Sequence, residues 1–310
     1  MITVAALSPS LDITYLVDSL ELGAIHRPTE VHRVAGGKSF NLARAATTAG
    51  ARVATVAVLG GSTGDFLASE LSAAGIQVDA VDSPSETRTC VSIAASDRGD
   101  LTEIYPYAPP IPTDVWQRFR TTLGEDLDGR AGWLAINGSA PQGLPDGAFG
   151  ELTAAASALG VRVAIDTHGP ALSGALEASP QLVKINRYEA AALLGQDPDS
   201  ADLSAMIIAI ADRTQGSVII TDGRAGAVGT DGSKIIRAEL PADIDGHYPV
   251  GSGDSFLGGW LAAVDEGADA GDALRLASGC GAANALLPGP GNLERATAEE
   301  IARRTILRPL

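Results

Sequence analysis

The feature that most constrains this chain is a strand, a turn and a helix, repeated along most of its length. Residues 2–7 form a short apolar run ended by Ser8-Pro9, which reads as a buried strand. Residues 41–50 carry apolar side chains on one helical face and stop at Gly50. Strand 52–59 is followed by helix 63–74, strand 133–137 by helix 148–159, and strand 182–185 by helix 189–195. Residues 161–166 read as a strand, 203–214 as a helix and 217–221 as a strand, and the last long helices start near Asp254 and Asp272. A chain that alternates in this way predicts an α/β fold with a mostly parallel central sheet covered by helices on both faces.

Two stretches break the alternation. Residues 12–18 and 29–34 alternate with the period of a strand, and residues 87–95 and 101–107 read as a hairpin around Asp97-Arg98-Gly99-Asp100. We expect these stretches to form one small β-sheet, a lid over the strand ends of the larger unit. The expected division is 1–11, 36–86 and 110–310 for the large α/β domain, and 12–35 and 87–109 for the lid. Aromatic residues are only 4% of the chain, so Ala, Val, Leu and Ile must fill most of the core.

Charge narrows the partners. A net charge of -16 repels nucleic acid and anionic lipid at long range, but leaves room for an anionic small molecule beside a few local cations. Cys90 and Cys280 form no CxxC motif, so neither a disulfide framework nor a zinc site is expected. No apolar run reaches the ~18 residues of a membrane span. The N-terminal segment lacks a basic region before its apolar stretch, so a cytoplasmic protein is expected.

The chemistry-bearing motif is Val250-Gly251-Ser252-Gly253-Asp254-Ser255-Phe256. Its glycines allow a close backbone approach, and the helix start beyond them presents free N–H groups and a positive dipole end, an anion site. Asp254 could take a proton from a hydroxyl nucleophile there, or could simply cap the helix. Ala35-Gly36-Gly37-Lys38-Ser39-Phe40-Asn41 is a second Gly-rich helix start; it lacks the upstream glycine of a P-loop, His32 standing there. Lys38 offers a charge for phosphate and Asn41 a donor and acceptor for sugar hydroxyls, or the segment is a tight turn with a surface lysine.

Asn186-Arg187-Tyr188-Glu189 can hold a hydrated Mg²⁺ near phosphates, or form a capping box. The turn 221–226 could seat a nucleotide on its glycines, or be an ordinary β-turn. Gly60-Gly61-Ser62-Thr63-Gly64 matches a nucleophile elbow and raises a rival hydrolase reading with His168 or His247. No G-x-G-x-x-G is complete, so a nicotinamide dehydrogenase is not supported.

Taken together and in this order, these segments resemble the PfkB branch of the ribokinase-like superfamily, and within it the 1-phosphofructokinase and tagatose-6-phosphate kinase group. The resemblance also takes in residues 7–12, Glu86-Thr87-Arg88, Asn137-Gly138-Ser139 and Val183-Lys184-Ile185. It implies a ribokinase-like fold with a β-sheet lid, a homodimer through the lid, and an ATP- and Mg²⁺-dependent kinase acting on a phosphorylated ketohexose. Asp254 would be the base, with Gly251, Ser252 and Gly253 as the anion hole. Asp12, Gly36, Gly37, Lys38, Asn41, Arg88 and Ser139 would hold the sugar phosphate, with Arg27 a further lid candidate. Lys184, Asn186, Thr221, Gly223, Gly226 and Asn284 would contact the nucleotide, and Glu189 with Asn186 would organise Mg²⁺. A kinase of a free sugar or nucleoside, or a non-catalytic sugar-phosphate sensor, are the alternatives on the same fold. The chain departs from the group at Ser39-Phe40, where bulk at the sugar floor is expected from Phe40, and at residues 105–110 of the lid.

Overall fold

The computed structural model describes every residue except 98, 215 and 231–233. In chain order the strands are β1 (Ile2–Ala6), β2 (Ser10–Val17), β3 (Glu30–Gly36), β4 (Val53–Leu59), β5 (Gln77–Asp82), β6 (Thr89–Ala95), β7 (Asp100–Ile104), β8 (Trp133–Asn137), β9 (Arg162–Asp166), β10 (Leu182–Asn186), β11 (Ser217–Thr221), β12 (Ala227–Thr230), β13 (Ile235–Glu239) and β14 (Ile306–Pro309). The helices are α1 (Lys38–Thr48), α2 (Gly61–Ala73), α3 (Thr113–Leu127), α4 (Ala148–Ala158), α5 (Gly169–Glu177), α6 (Arg187–Leu194), α7 (Leu203–Thr214), α8 (Ser252–Asp265), α9 (Ala270–Ala285) and α10 (Arg295–Arg304).

The large sheet has ten strands in the order β14-β13-β12-β11-β10-β9-β8-β1-β4-β5. Neighbours from β11 to β5 are parallel. The β11–β12–β13–β14 edge is antiparallel. Every residue of β1, β4 and β8 is buried, as expected of strands covered on both faces. Alternate side chains enter two cores: Val56 and Val58 pack with Trp116 and Phe119 on one face, while Ala57 and Leu59 pack with Phe40 and Trp260 on the other.

The two β-only stretches form one four-stranded sheet in the order β3-β2-β6-β7. Its central pair, β2 and β6, is parallel and its outer pairs are antiparallel. Strand pairing reaches Ser10 and Gly36, so both segments run further towards the large sheet than the periodicity indicated. Arg98 of the expected hairpin turn lies outside the described residues.

Several elements carry no clear sequence signal. Edge strand β5 buries little of its length and so lacks an apolar run. The short strands β12 to β14 and helices α3, α5 and α10 also went unanticipated. Helix α1 starts at Lys38, not at Asn41, because Gly37 supplies the positive φ of +82° that the turn into the helix needs. This earlier start turns Phe40 fully into the core, so it is not the bulky sugar floor that was expected.

Candidate active site

The site is built where the strand ends meet two helix starts. Asn137 at the end of β8 pairs in register with Asp166 at the end of β9. One step further, Lys184 of β10 reaches the Asp166 carboxylate at 2.7 Å, and both side chains are buried. Above this ion pair lies the first turn of α8. A Cβ on Gly253 would sit 2.8 Å from Lys184 Nζ, so the bare backbone leaves room for the ammonium against the helix start. Gly251 begins the turn at φ +82°, and a Cβ there would press on Pro290. An ammonium and a helix start thus lie side by side, the kind of surroundings that favour an anion.

Asp254 sits in that first turn, and its side chain does not cap the helix. It is buried and accepts a 3.0 Å hydrogen bond from Asn41 Nδ2 of α1. Burial, with Asp166 nearby, pushes its carboxyl up to about 7, against the pull of Lys38, Asn41 and Lys184. A carboxyl balanced near neutrality suits a general base. For Lys38, burial works against the charge, but Asp166, Asp254 and Glu189 outweigh it and raise the ammonium above its ordinary range. Lys38 therefore belongs to the carboxylate cluster at the strand ends.

Two cavities share the start of α8 as a wall. One, of about 460 Å³, is lined by Asp12, Gly37, Lys38, Asn41, Arg88 and Ser139, with Gly251 and Asp254 on its floor. Tyr105 and Tyr107, just after β7 of the small sheet, complete its lining. The other, of about 380 Å³, is lined by Thr221, Gly223, Gly226, Leu240 and Ile244, with Ser252 and Gly253 on its wall. Gly36 stands against Asp12, whose carboxylate accepts from Ser10 Oγ at 2.6 Å and from the Gly37 N–H at 3.3 Å. Arg88 donates to the carbonyls of Pro106 at 2.8 Å and Ser8 at 3.1 Å, which joins lid to large sheet at the cavity.

Comparison with known proteins gives the family. The sequence profile of pfkB family carbohydrate kinases matches residues 5–296. The chain belongs to the pfkB family. Such an enzyme is a sugar kinase, which transfers phosphate to a hydroxyl. Phosphofructokinase-2 from Escherichia coli superposes with a TM-score of 0.90 at 26% identity, over 98% of each chain. The same protein solved with fructose-6-phosphate gives a TM-score of 0.89, also at 26% identity and over 98% of each chain. A 1-phosphofructokinase candidate from Thermotoga maritima shares the fold, with a TM-score of 0.87 at 19% identity over 100% of this chain and 99% of its own.

Within this pfkB kinase some expected residues take other places. Asn284 is fully buried and lines neither cavity: its Nδ2 donates to the carbonyls of Tyr248 and Val250 and to Ser252 Oγ, and its Oδ1 accepts from Ser255 Oγ and the Gly291 N–H. Its role is to hold the loop that leads into α8. Arg27 is exposed on the lid and lines neither cavity of its own chain. Asn186 and Glu189 form the reciprocal capping box at the start of α6. Ser62 is an exposed residue whose hydroxyl donates to Glu86 at 3.3 Å, and the same carboxylate accepts the Thr63 N–H at 2.8 Å. The 60–64 turn is a capped helix start, which removes the hydrolase reading. Sequence reasoning missed Asp166, which reads only as a strand end, and Arg44, which reads as an ordinary helix residue.

Proposed function

We propose that the protein transfers the γ-phosphoryl of MgATP to a hydroxyl of a phosphorylated ketohexose: fructose 1-phosphate, fructose 6-phosphate or tagatose 6-phosphate. The observation that carries this reading is the shared wall. Residues 251 and 254 face the first cavity while 252 and 253 face the second, so in this reading one helix turn lies between acceptor and donor. In this reading the sugar occupies the first cavity, with Asp12, Asn41 and Ser139 on its hydroxyls and Arg88 near its phosphate. Asp254 takes the proton from the attacking hydroxyl. The N–H groups of the α8 start, with Lys184 and Lys38, hold the charge on the transferring oxygens.

The second cavity fits a nucleotide. Its bare glycines Gly223 and Gly226 allow a close approach, and Leu240, Pro241 and Ile244 offer an apolar wall for a base. Among the described residues no cluster of three or more His, Cys, Asp or Glu side chains could cage a metal. That suits Mg²⁺ carried on phosphates, which needs only a carboxylate or two plus water. Glu189 has one carboxylate oxygen engaged by the Asn186 N–H, leaving the other for a metal-bound water. Bound there, the ion would neutralise phosphate charge. The exposed lid residues Leu22, Ile25 and Ile104 support pairing of two lids in a homodimer.

A panel of free and phosphorylated ketohexoses with ATP tests the substrate class. Faster turnover of the phosphorylated sugars is expected. Preference for free sugars or nucleosides would overturn it, and ligand binding without any ATP turnover would point to a sensor.

A further inference from the structure

We propose that Arg44 is a positioning residue: it fixes the Asn41 side-chain amide so that the N–H, and not the oxygen, faces Asp254. The two ends of an amide are almost the same shape, so the neighbours decide which way it points. Arg44 can only donate, and its Nη2 reaches Asn41 Oδ1 at 3.2 Å. That choice leaves Nδ2 for Asp254 Oδ2 at 3.0 Å. Arg44 and Asn41 stand three residues apart on one face of α1, which brings the two side chains together.

The arginine is itself held from two sides. It donates to the carbonyl of Ala35, at the end of lid strand β3, and to that of Pro290 in the loop after α9. A Cβ on Gly291 would fall 2.7 Å from Asn41 Cα and 2.9 Å from Arg44 Nη2, so the absence of a side chain there makes room for the pair. The charges around Arg44 are Asp12 on β2, Glu70 on α2 and Asp254 on α8. Those around Asp254 are Asp166 on β9, Lys38 and Arg44 itself on α1, and Lys184 on β10. Burial lowers Arg44 to about 10, so it keeps its charge at neutral pH.

The consequence is a bias towards the ionised carboxylate. An N–H aimed at Asp254 favours the charged form, whereas an amide oxygen in its place would disfavour it. Asn41 thereby keeps one N–H for a ligand in the first cavity, since its oxygen and its other N–H are engaged within the protein.

This inference rests on the reading of Asp254 as the base, and the test separates the two. Arg44→Lys keeps the charge but loses the planar fork that holds the amide. The midpoint of the Asp254 carboxyl, followed by ¹³C NMR on aspartate-labelled protein and assigned by its loss in Asp254→Asn, should rise by about 1 pH unit, the size of a lost charge-assisted hydrogen bond. kcat/KM should fall about tenfold at pH 6 and little at pH 9. A uniform loss at every pH with an unmoved NMR midpoint overturns the proposal and makes Arg44 a structural residue only. A shifted NMR midpoint with a pH-independent rate supports the positioning role of Arg44 and removes the base reading instead. If the variant does not fold, the wild-type Asn41 amide protons decide: they should follow the Asp254 titration, and indifference to it overturns the proposal.

Discussion

The two sides of the first cavity are built differently. On the side of the large sheet the groups at the α8 start are held by others: Asp254 by Asn41, Lys184 by Asp166, and the loop before α8 by Asn284. On the lid side the cavity is closed by the segment around Tyr105 and Tyr107, where Tyr107 is 94% exposed. A group that must meet a transition state has to be held in place, whereas one that admits and covers a ligand has to be free to move. Under the proposed function, the difference puts the chemistry on the floor and substrate choice on the side of the small sheet.

The comparison can be broken from the floor first. Asp254→Asn should lower kcat by about 10²–10⁴-fold with the fold intact. The same variant should be more stable than the parent at pH 8. The folded-state carboxyl is raised to about 7, so the native protein binds its proton more tightly than the unfolded chain, and its stability falls as pH climbs through that range. Removing the ionisation removes that cost, and thermal melts at pH 5 and pH 8 would show the gain only at the higher pH.

A smaller effect is expected one layer out. Asn284→Ala removes the side chain that ties the loop before α8, the first turn of α8 and Gly291 together, and should cost about 2–4 kcal/mol of stability. A floor displaced by a fraction of an ångström should lower kcat about 10–100-fold while the sugar KM changes little. Equal changes in kcat and KM would blur the line between the two sides. The smallest effect belongs to the lid. Tyr107→Ala should raise the sugar KM by about 3–10-fold and leave kcat within about twofold. A large fall in kcat from this variant would move catalytic function onto the lid.

What the sequence disclosed follows the same line. The Gly-rich helix starts at Gly37 and Gly251 were legible because a positive φ against packed backbone leaves glycine as the natural residue. The alternating elements were legible because strands buried on both faces need continuous apolar runs. Asp166 escaped notice because its importance comes from strand register, which sets it beside Lys184 from a separate strand. Arg44 was invisible for a similar reason: its partners Ala35, Asn41 and Pro290 come from three segments. The bracing part played by Asn284 was not legible either, because its partners come from separate segments, Tyr248 and Ser252 before it in the chain and Gly291 after it.

The most direct test of the account is the pH dependence of kcat/KM for the preferred sugar phosphate, between pH 5 and pH 9. Because burial holds the proton on Asp254 up to about 7, the base form is scarce below that value. The account predicts a rate that rises about tenfold per pH unit below pH 7 and then levels, with the limb absent from the residual activity of Asp254→Asn. A limb that persists unchanged in that variant, or a profile flat across the range, would contradict it.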